Sequence, residues 1–290
     1  MVRPGSTVQF RASAPNAGVL KWTTRADCKS AASRLRGFES LLQHQMNLAN
    51  KTILITGATG GIGKALAHSL AAKNCNLILV ARKLTLLKSL SKTLIKQHKI
   101  AVSYFSCNLR DKTARKRLIS KLRRRATRLD CLVNSAGIGV YKPFDKVTEK
   151  DWENSYDLNV TAPYFLTQGL LPMLKTSKLS LILNIGSGAG VTPMPERSIY
   201  CSTKFALRGW TLSLAEETRE KSPHFCLITL GSTLTSFGTT TLAEKKAKQA
   251  GGKAYLTPEF VADQLVAIIA DSHRATEYTM YPANYNSSVL

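Results

Sequence analysis

The run Tyr200-Cys201-Ser202-Thr203-Lys204 places a phenol and an ammonium four residues apart. On a helix, positions i and i+4 share a face, so the two groups lie side by side. A free tyrosine ionises near pH ~10 and is a poor base at neutral pH. An adjacent cation stabilises the phenolate, lowers that pKa, and makes the hydroxyl a usable general acid or base. Thirteen residues upstream, Ser187 follows the apolar run 181–186. It therefore sits at the carboxyl end of a candidate strand, the edge where open α/β sheets bind ligands.

A second group of residues suits an anion. Ile53-Leu54-Ile55 reads as a buried strand, and Thr56-Gly57-Ala58-Thr59-Gly60-Gly61-Ile62-Gly63 leads from it into an amphipathic segment. Strand, glycine loop and helix in that order are the context in which such a pattern binds a dinucleotide. Gly57 permits the tight turn, while Gly61 and Gly63 let the backbone approach a pyrophosphate. The free N–H groups of the following helix, from Ile62 onward, would hold it. The end of the second strand reads Leu79-Val80-Ala81-Arg82-Lys83, without the acid that binds a ribose 2′-hydroxyl. Arg82 offers a planar cation to a 2′-phosphate instead, which favours NADP(H) over NAD(H).

These residues need a frame. From Lys51 onward, short apolar or β-branched runs alternate with longer helical stretches. Strands are expected at 52–56, 76–81, 101–106, 131–133, 180–186, 225–230 and 277–281. Helices are expected at 62–73, 84–97, 111–125, 149–175 and 202–219. The strands are nearly all apolar, as when both faces of a sheet are covered. The expected fold class is α/β: a single Rossmann-type, doubly wound parallel sheet of about seven strands with helices on both faces.

The 290 residues carry a formal net charge of +23. The densest basic stretch, 112–128, points its charges all round a helix rather than along one stripe. It also contains no interleaved aromatics for stacking bases, which argues against a nucleic-acid partner. No apolar run approaches the ~18 residues of a membrane span. The six cysteines form no C-x-x-C pair, and four of them (Cys75, Cys107, Cys131 and Cys226) fall in or beside apolar runs. That pattern fits reduced core thiols and a reducing compartment. The five histidines show no metal spacing, so no metal is expected.

Residues 1–45 differ in character. They hold seven Lys or Arg against two acids, Asp27 and Glu39, and account for +5 of the net charge. A mitochondrial transit peptide has this composition. A second reading is that Arg36-Gly37-Phe38-Glu39-Ser40 back-translates to the T-arm and T-loop of a transfer-RNA gene, continued by Gln43-His44-Gln45. The expectation is then a disordered or mistakenly translated extension over 1–45 and one domain over 46–290, starting at Met46.

Over roughly residues 50–285 the chain resembles the short-chain dehydrogenase/reductase family. The motifs appear in the family's order: Thr56 to Gly63 as T-G-x-x-x-G-x-G, Asn134-Ser135-Ala136-Gly137 as N-N-A-G with one departure, Asn159, Ser187, and the pair Tyr200 and Lys204. The resemblance implies an NADP(H)-dependent oxidoreductase that moves a hydride between the nicotinamide and a carbonyl or secondary alcohol of a small substrate. It implies catalytic roles for Asn159, Ser187, Tyr200 and Lys204. Tyr200 would exchange the proton, Ser187 would place the reacting oxygen, Lys204 would also hold the nicotinamide ribose, and Asn159 would position a water. Cofactor contacts would come from Thr56, Gly57, Thr59, Gly61, Ile62, Gly63, Arg82, Asn108, Leu109, Asn134, Ala136, Gly137, Tyr200, Lys204, Gly231 and Thr235. Two departures stand out: Leu230-Gly231 replaces the family's Pro-Gly, and Asn108 replaces an aspartate near the adenine. The runner-up activity is a 3-oxoacyl-thioester reductase whose basic surface docks an acidic acyl carrier protein. The rival from another class is a non-catalytic NADPH-binding scaffold or sensor. A homodimer or homotetramer is expected. The expected location is cytoplasmic, or the mitochondrial matrix if 1–45 is a transit peptide. Substrate choice is expected to rest on the segment after Thr235, through the lysine-rich 243–253, and on the loop 189–197.

Overall fold

Along the strands, buried apolar side chains alternate between two faces, and that alternation sets the layers. The computed structural model describes residues 8–12, 20–22, 45–219 and 221–282. In chain order the strands are β1 (Val8–Ala12), β2 (Leu20–Trp22), β3 (Thr52–Thr56), β4 (Asn76–Ala81), β5 (Val102–Ser106), β6 (Cys131–Asn134), β7 (Leu181–Ile185), β8 (His224–Leu230) and β9 (Glu277–Tyr281). The helices are α1 (Gly61–Ala71), α2 (Leu84–His98), α3 (Lys112–Arg125), α4 (Glu149–Tyr156), α5 (Ala162–Leu174), α6 (Ser198–Glu217), α7 (Leu242–Ala250) and α8 (Pro258–Ala270).

Ile53 and Ile55 of β3, with Leu77 and Leu79 of β4, pack under Leu66 and Leu70 of α1, Leu87 of α2 and Leu265 of α8. Leu54, Ile78 and Val80 face the other way, against Leu118 and Leu122 of α3 and Leu166 and Leu170 of α5. The period of two along each strand feeds both cores. Because both faces are covered, the strand sequences are apolar throughout.

The sheet order is β2-β1-β9-β8-β7-β6-β3-β4-β5. From β9 to β5 it is parallel throughout, giving the seven strands that the sequence pattern predicts. Two further strands from before residue 46 join it: β1 pairs antiparallel with β9, Gln9 opposite Tyr281, and β2 pairs with β1. The string at 36–40 and Cys28 lie outside the described residues. The chain winds outward from β3 through β4 to β5, then returns to β6 on the other side of β3. The strand order therefore reverses between β3 and β6, and a ligand crevice opens at their carboxyl ends.

Two helix boundaries differ from expectation, both at functional residues. The single helix expected over 149–175 is interrupted by a π-helical turn at Asp157–Thr161 between α4 and α5. A π turn inserts one residue into the helical ladder and re-aims the side chains around it. Helix α6 starts at Ser198, four residues before the apolar pattern indicates, so Tyr200 lies in its first turn. Helices α7 and α8 were not among the expected elements.

Among the described residues strand β1 pairs only with β9 and β2, and β9 remains paired to β8 without it. A chain beginning at Met46 is expected to unfold cooperatively, with a Tm within about 4 °C of the full chain. Loss of the cooperative transition in calorimetry would make the extension part of the fold.

Candidate active site

At the switch point the loops after β3 and β6 touch. Gly57 has φ +67°, and a Cβ there would stand 3.0 Å from the Cα of Ala136. Thr56 fixes the two loops together: its Oγ1 accepts from the N–H groups of Ser135 and Ala136 at 3.1 Å and donates to the carbonyl of Val133 at 3.3 Å. A Cβ on Gly63 would lie 2.4 Å from the Gly57 carbonyl oxygen, so only glycine lets α1 come this close to the loop. Helix α1 has no side-chain cap at Gly60 and no acid in its first turn. The N–H groups of Gly61, Ile62 and Gly63 are thus left for an anion, with the positive end of the helix behind them. These residues fit a dinucleotide pyrophosphate. Thr59 lies half-buried in the loop. Thr235 hangs over the loop, its methyl 2.4 Å from where a Gly61 Cβ would be.

Arg82 is exposed at the end of β4, and its carbonyl accepts from the Ser106 hydroxyl. Asn108 is exposed after β5 and accepts from the Arg110 N–H, while Leu109 is buried. Ala136 and Gly137 are half-buried beside the loop, and Gly231 packs against Tyr281 and Pro282. Asn134 departs from expectation. Its side chain is buried and donates to Asn184 Oδ1 at 2.8 Å and Thr167 at 3.3 Å, while Asn184 donates to Thr211 of α6. The amide nitrogen serves a polar ladder across β6, β7 and α6, while Oδ1 is buried without a partner.

The four residues expected to carry chemistry converge. Tyr200 is buried, with Ser187 near enough to its hydroxyl to oppose the rise that burial imposes on it. Ser187 also accepts from the Ala189 N–H, which fixes it at the start of a short 3₁₀ turn. The Lys204 Nζ lies 5.8 Å from the Tyr200 ring centroid and donates to the Ile185 carbonyl at 2.7 Å. Asn159, presented by the π turn, is bound twice to the backbone of Ile138 at 2.9 Å and donates to Thr203 at 3.1 Å.

The electrostatics of the pair differ from expectation. Burial pushes the Tyr200 phenol above its usual range; Tyr141 adds to the rise, and Ser187 and Arg197 oppose it. Desolvation pulls the Lys204 ammonium down to about 8. The expected depression of the phenol by Lys204 is outweighed because the phenol is sealed from water and the ammonium is bonded elsewhere. Tyr200 is therefore a neutral phenol at pH 7, a proton donor beside a serine hydroxyl.

Of three further neighbours, Tyr141 escaped the sequence reading, while Arg197 and Phe237 fall in the segments expected to set substrate choice. Tyr141 packs edge-on against Tyr200 with centroids 5.5 Å apart, and Phe237 stands at 5.8 Å. Arg197 places its Cζ 4.5 Å over the Tyr141 ring. Tyr141 lies on a loop outside any periodic pattern, and the signal available for it was its closeness to Gly137 in sequence.

Residues 51–246 match the short chain dehydrogenase family model. The 3-oxoacyl-acyl-carrier-protein reductase FabG of Rickettsia felis is 31% identical over 249 residues, 84% of this chain and 99% of that protein. The NADP-dependent 3-hydroxy acid dehydrogenase of Schizosaccharomyces pombe is 30% identical over 226 residues, 76% of this chain and 86% of that protein. Among solved structures, an alcohol dehydrogenase from Thermococcus sibiricus in complex with 5-hydroxy-NADP superposes with a TM-score of 0.74, at 24% identity over 81% of this chain and 97% of that one. The chain belongs to the short-chain dehydrogenase family. It is an oxidoreductase that acts on alcohol or carbonyl groups with a nicotinamide cofactor.

Two glycines separate close approach from open space. Gly63→Ala drives a Cβ into the Gly57 carbonyl and is expected to cost about 1–3 kcal/mol, read as a lower urea midpoint. Gly209→Ala within α6 meets nothing within 4 Å. It is expected to stabilise by up to about 1 kcal/mol, because alanine loses less backbone entropy in a helix.

Proposed function

We propose that this protein is an NADP(H)-dependent reductase of small carbonyl substrates, or equally a dehydrogenase of the matching secondary alcohols, with Tyr200 as general acid or base. The observation that carries the reading is the convergence of the Ser187 hydroxyl, the Tyr200 phenol and the Lys204 ammonium at the carboxyl edge of β7, beside the glycine loop.

The nicotinamide, when bound, supplies or accepts the hydride. The protein handles the proton. During reduction Tyr200 donates to the carbonyl oxygen, and its raised pKa keeps that proton in place at neutral pH. Ser187 holds the same oxygen by hydrogen bond, which orients the carbonyl toward Tyr200. Lys204 is held on the pocket side of β7 by the Ile185 carbonyl, where it can reach a ribose hydroxyl. Asn159 fixes the turn around Ile138 and links it to Thr203, one residue before Lys204, and a water beside it would connect Lys204 to solvent. The uncapped N–H groups that open α1 would hold the pyrophosphate. Arg82, exposed at the end of β4, takes the 2′-phosphate, and Asn108 and Leu109 border the adenine. Thr235 and Gly231 close over the nicotinamide.

Residues 46–290 carry the working domain, and β1 and β2 from the extension over 1–45 add an antiparallel edge to its sheet. No helix of the described residues is long and apolar enough to cross a membrane. Together with the five buried free thiols this supports a cytoplasmic location. Exposed Phe165 on α5 and Phe205 on α6 support a homo-oligomer. A second reading, a 3-oxoacyl-thioester reductase, draws support from a surface groove beside β5 lined by Arg117, Lys121, Arg124 and Arg125. That groove suits the acidic surface of an acyl carrier protein.

Arg82→Asp removes the cation and repels a 2′-phosphate. The ratio of kcat/KM for NADPH over NADH is expected to fall at least about tenfold, and an unchanged ratio removes the basis for NADP preference. Tyr200→Phe keeps the ring and its packing but deletes the proton donor. NADPH binding, followed by fluorescence titration, should persist while turnover drops by ~10² or more. Near-normal turnover in that variant would sink the mechanism.

A further inference from the structure

The wall of the pocket next to Tyr200 carries a cation that the hydride chemistry does not use. Arg197 immediately precedes α6, three residues before Tyr200, and is half-buried. Its guanidinium lies 4.5 Å over the ring of Tyr141, and that ring packs edge-on against Tyr200. One of its nitrogens, Nη1, donates to the Met194 sulfur at 3.1 Å. Arg197 forms no ion pair with any carboxylate of the described residues. Its charge reaches both phenols, opposing the rise that burial imposes on each.

Other arginines that come into the interior have oxygen acceptors, Arg274 included, whose Nε and Nη2 donate to the carbonyls of Ile268 and Ile269 although its Nη1 is buried without a partner. Arg208 makes two bonds to the buried carboxylate of Glu277, and Arg115 donates to the carbonyls of Leu109 and Arg110. Arg197 instead has a thioether, a weak acceptor, and an aromatic face. A guanidinium has five N–H donors in a planar fork that matches a carboxylate. Here the fork is half-buried, stacked on Tyr141, and one ring away from the proposed proton donor.

The geometry points to Arg197 as the residue that binds a carboxylate on the substrate, which makes the substrate class an oxo acid and the product a hydroxy acid. This inference rests on the proposed reductase reading. The carbonyl oxygen sits against Ser187 and Tyr200, and the carboxylate, a short chain away, pairs with Arg197. Reduction adds one hydride from the reduced nicotinamide to the carbonyl carbon and one proton from Tyr200 to its oxygen, and the carboxylate is unchanged. Tyr141 and Phe237 enclose the carbon chain between the two polar ends.

The test compares acetoacetate with its methyl ester, which present the same ketone with and without the negative charge. Wild-type protein with NADPH should favour the acid about tenfold or more in kcat/KM. Arg197→Met should lower that acid-to-ester ratio at least about tenfold, mainly through KM for the acid, with Arg197→Lys intermediate because a point charge lacks the fork. Lys88→Met, an exposed change on α2, should leave the ratio where it was. An Arg197→Met ratio equal to wild type, or a wild-type preference for the ester, overturns the assignment. Calorimetric titration of malonate into NADP⁺-saturated protein needs no turnover. Wild type should bind at least about tenfold more tightly than Arg197→Met, and equal affinities overturn the proposal. If neither ketone is reduced, the reductase reading falls, and the malonate result alone decides the role of Arg197.

Discussion

Helix α6 carries both Tyr200 and Lys204, and polar bonds as well as apolar packing hold it to the sheet. The Lys204 ammonium donates to the Ile185 carbonyl, the Thr211 hydroxyl accepts from Asn184, and Arg208 grips Glu277 of β9. A hydrogen bond is directional where apolar contact is not, so these bonds fix the rotation and height of the helix together. Shifting α6 by one residue would leave a buried ammonium without its acceptor and a buried carboxylate without its counter-charge, held by Thr229 alone, at several kcal/mol each. The relation of Tyr200 to Ser187 depends on this registration.

The same economy appears at the switch point. Thr56 joins the ends of β3 and β6, and Asn134 joins β6 to β7 through Asn184. Polar side chains buried this deeply are costly unless paired. Paired, they leave the backbone of the two loops at one spacing, with the glycines supplying the close approach. The pocket is therefore lined by groups whose positions are set from behind, by a layer that touches no substrate.

Burial sets the chemical character of the pair. The same desolvation that raises the phenol of Tyr200 lowers the ammonium of Lys204. Each shift favours the neutral form of its group. The buried thiols show the structural use of the same effect: burial pushes Cys75 and Cys226 up to about 12, which makes them inert core residues at neutral pH.

The sequence by itself determined the layered α/β architecture, because alternation along strands and the helical period are local properties written residue by residue. It also determined which side chains have chemistry to offer, since a glycine loop after a strand and a tyrosine four residues before a lysine are short-range patterns. The tertiary structure decided the rest. The π turn at Asp157–Thr161 arises where Asn159 binds the backbone of Ile138 and the hydroxyl of Thr203, partners 21 and 44 residues away. Helix α6 starts at Ser198 rather than Ser202, so that Tyr200 falls inside it against the 3₁₀ turn after Ser187. Asn134 turns into the protein because its partners, Asn184 and Thr167, come from other elements. The rise of the Tyr200 pKa and the approach of Tyr141, Phe237 and Arg197 depend on which loops meet above β7. Burial and long-range pairing are properties of the assembled chain, and no local window of sequence contains them.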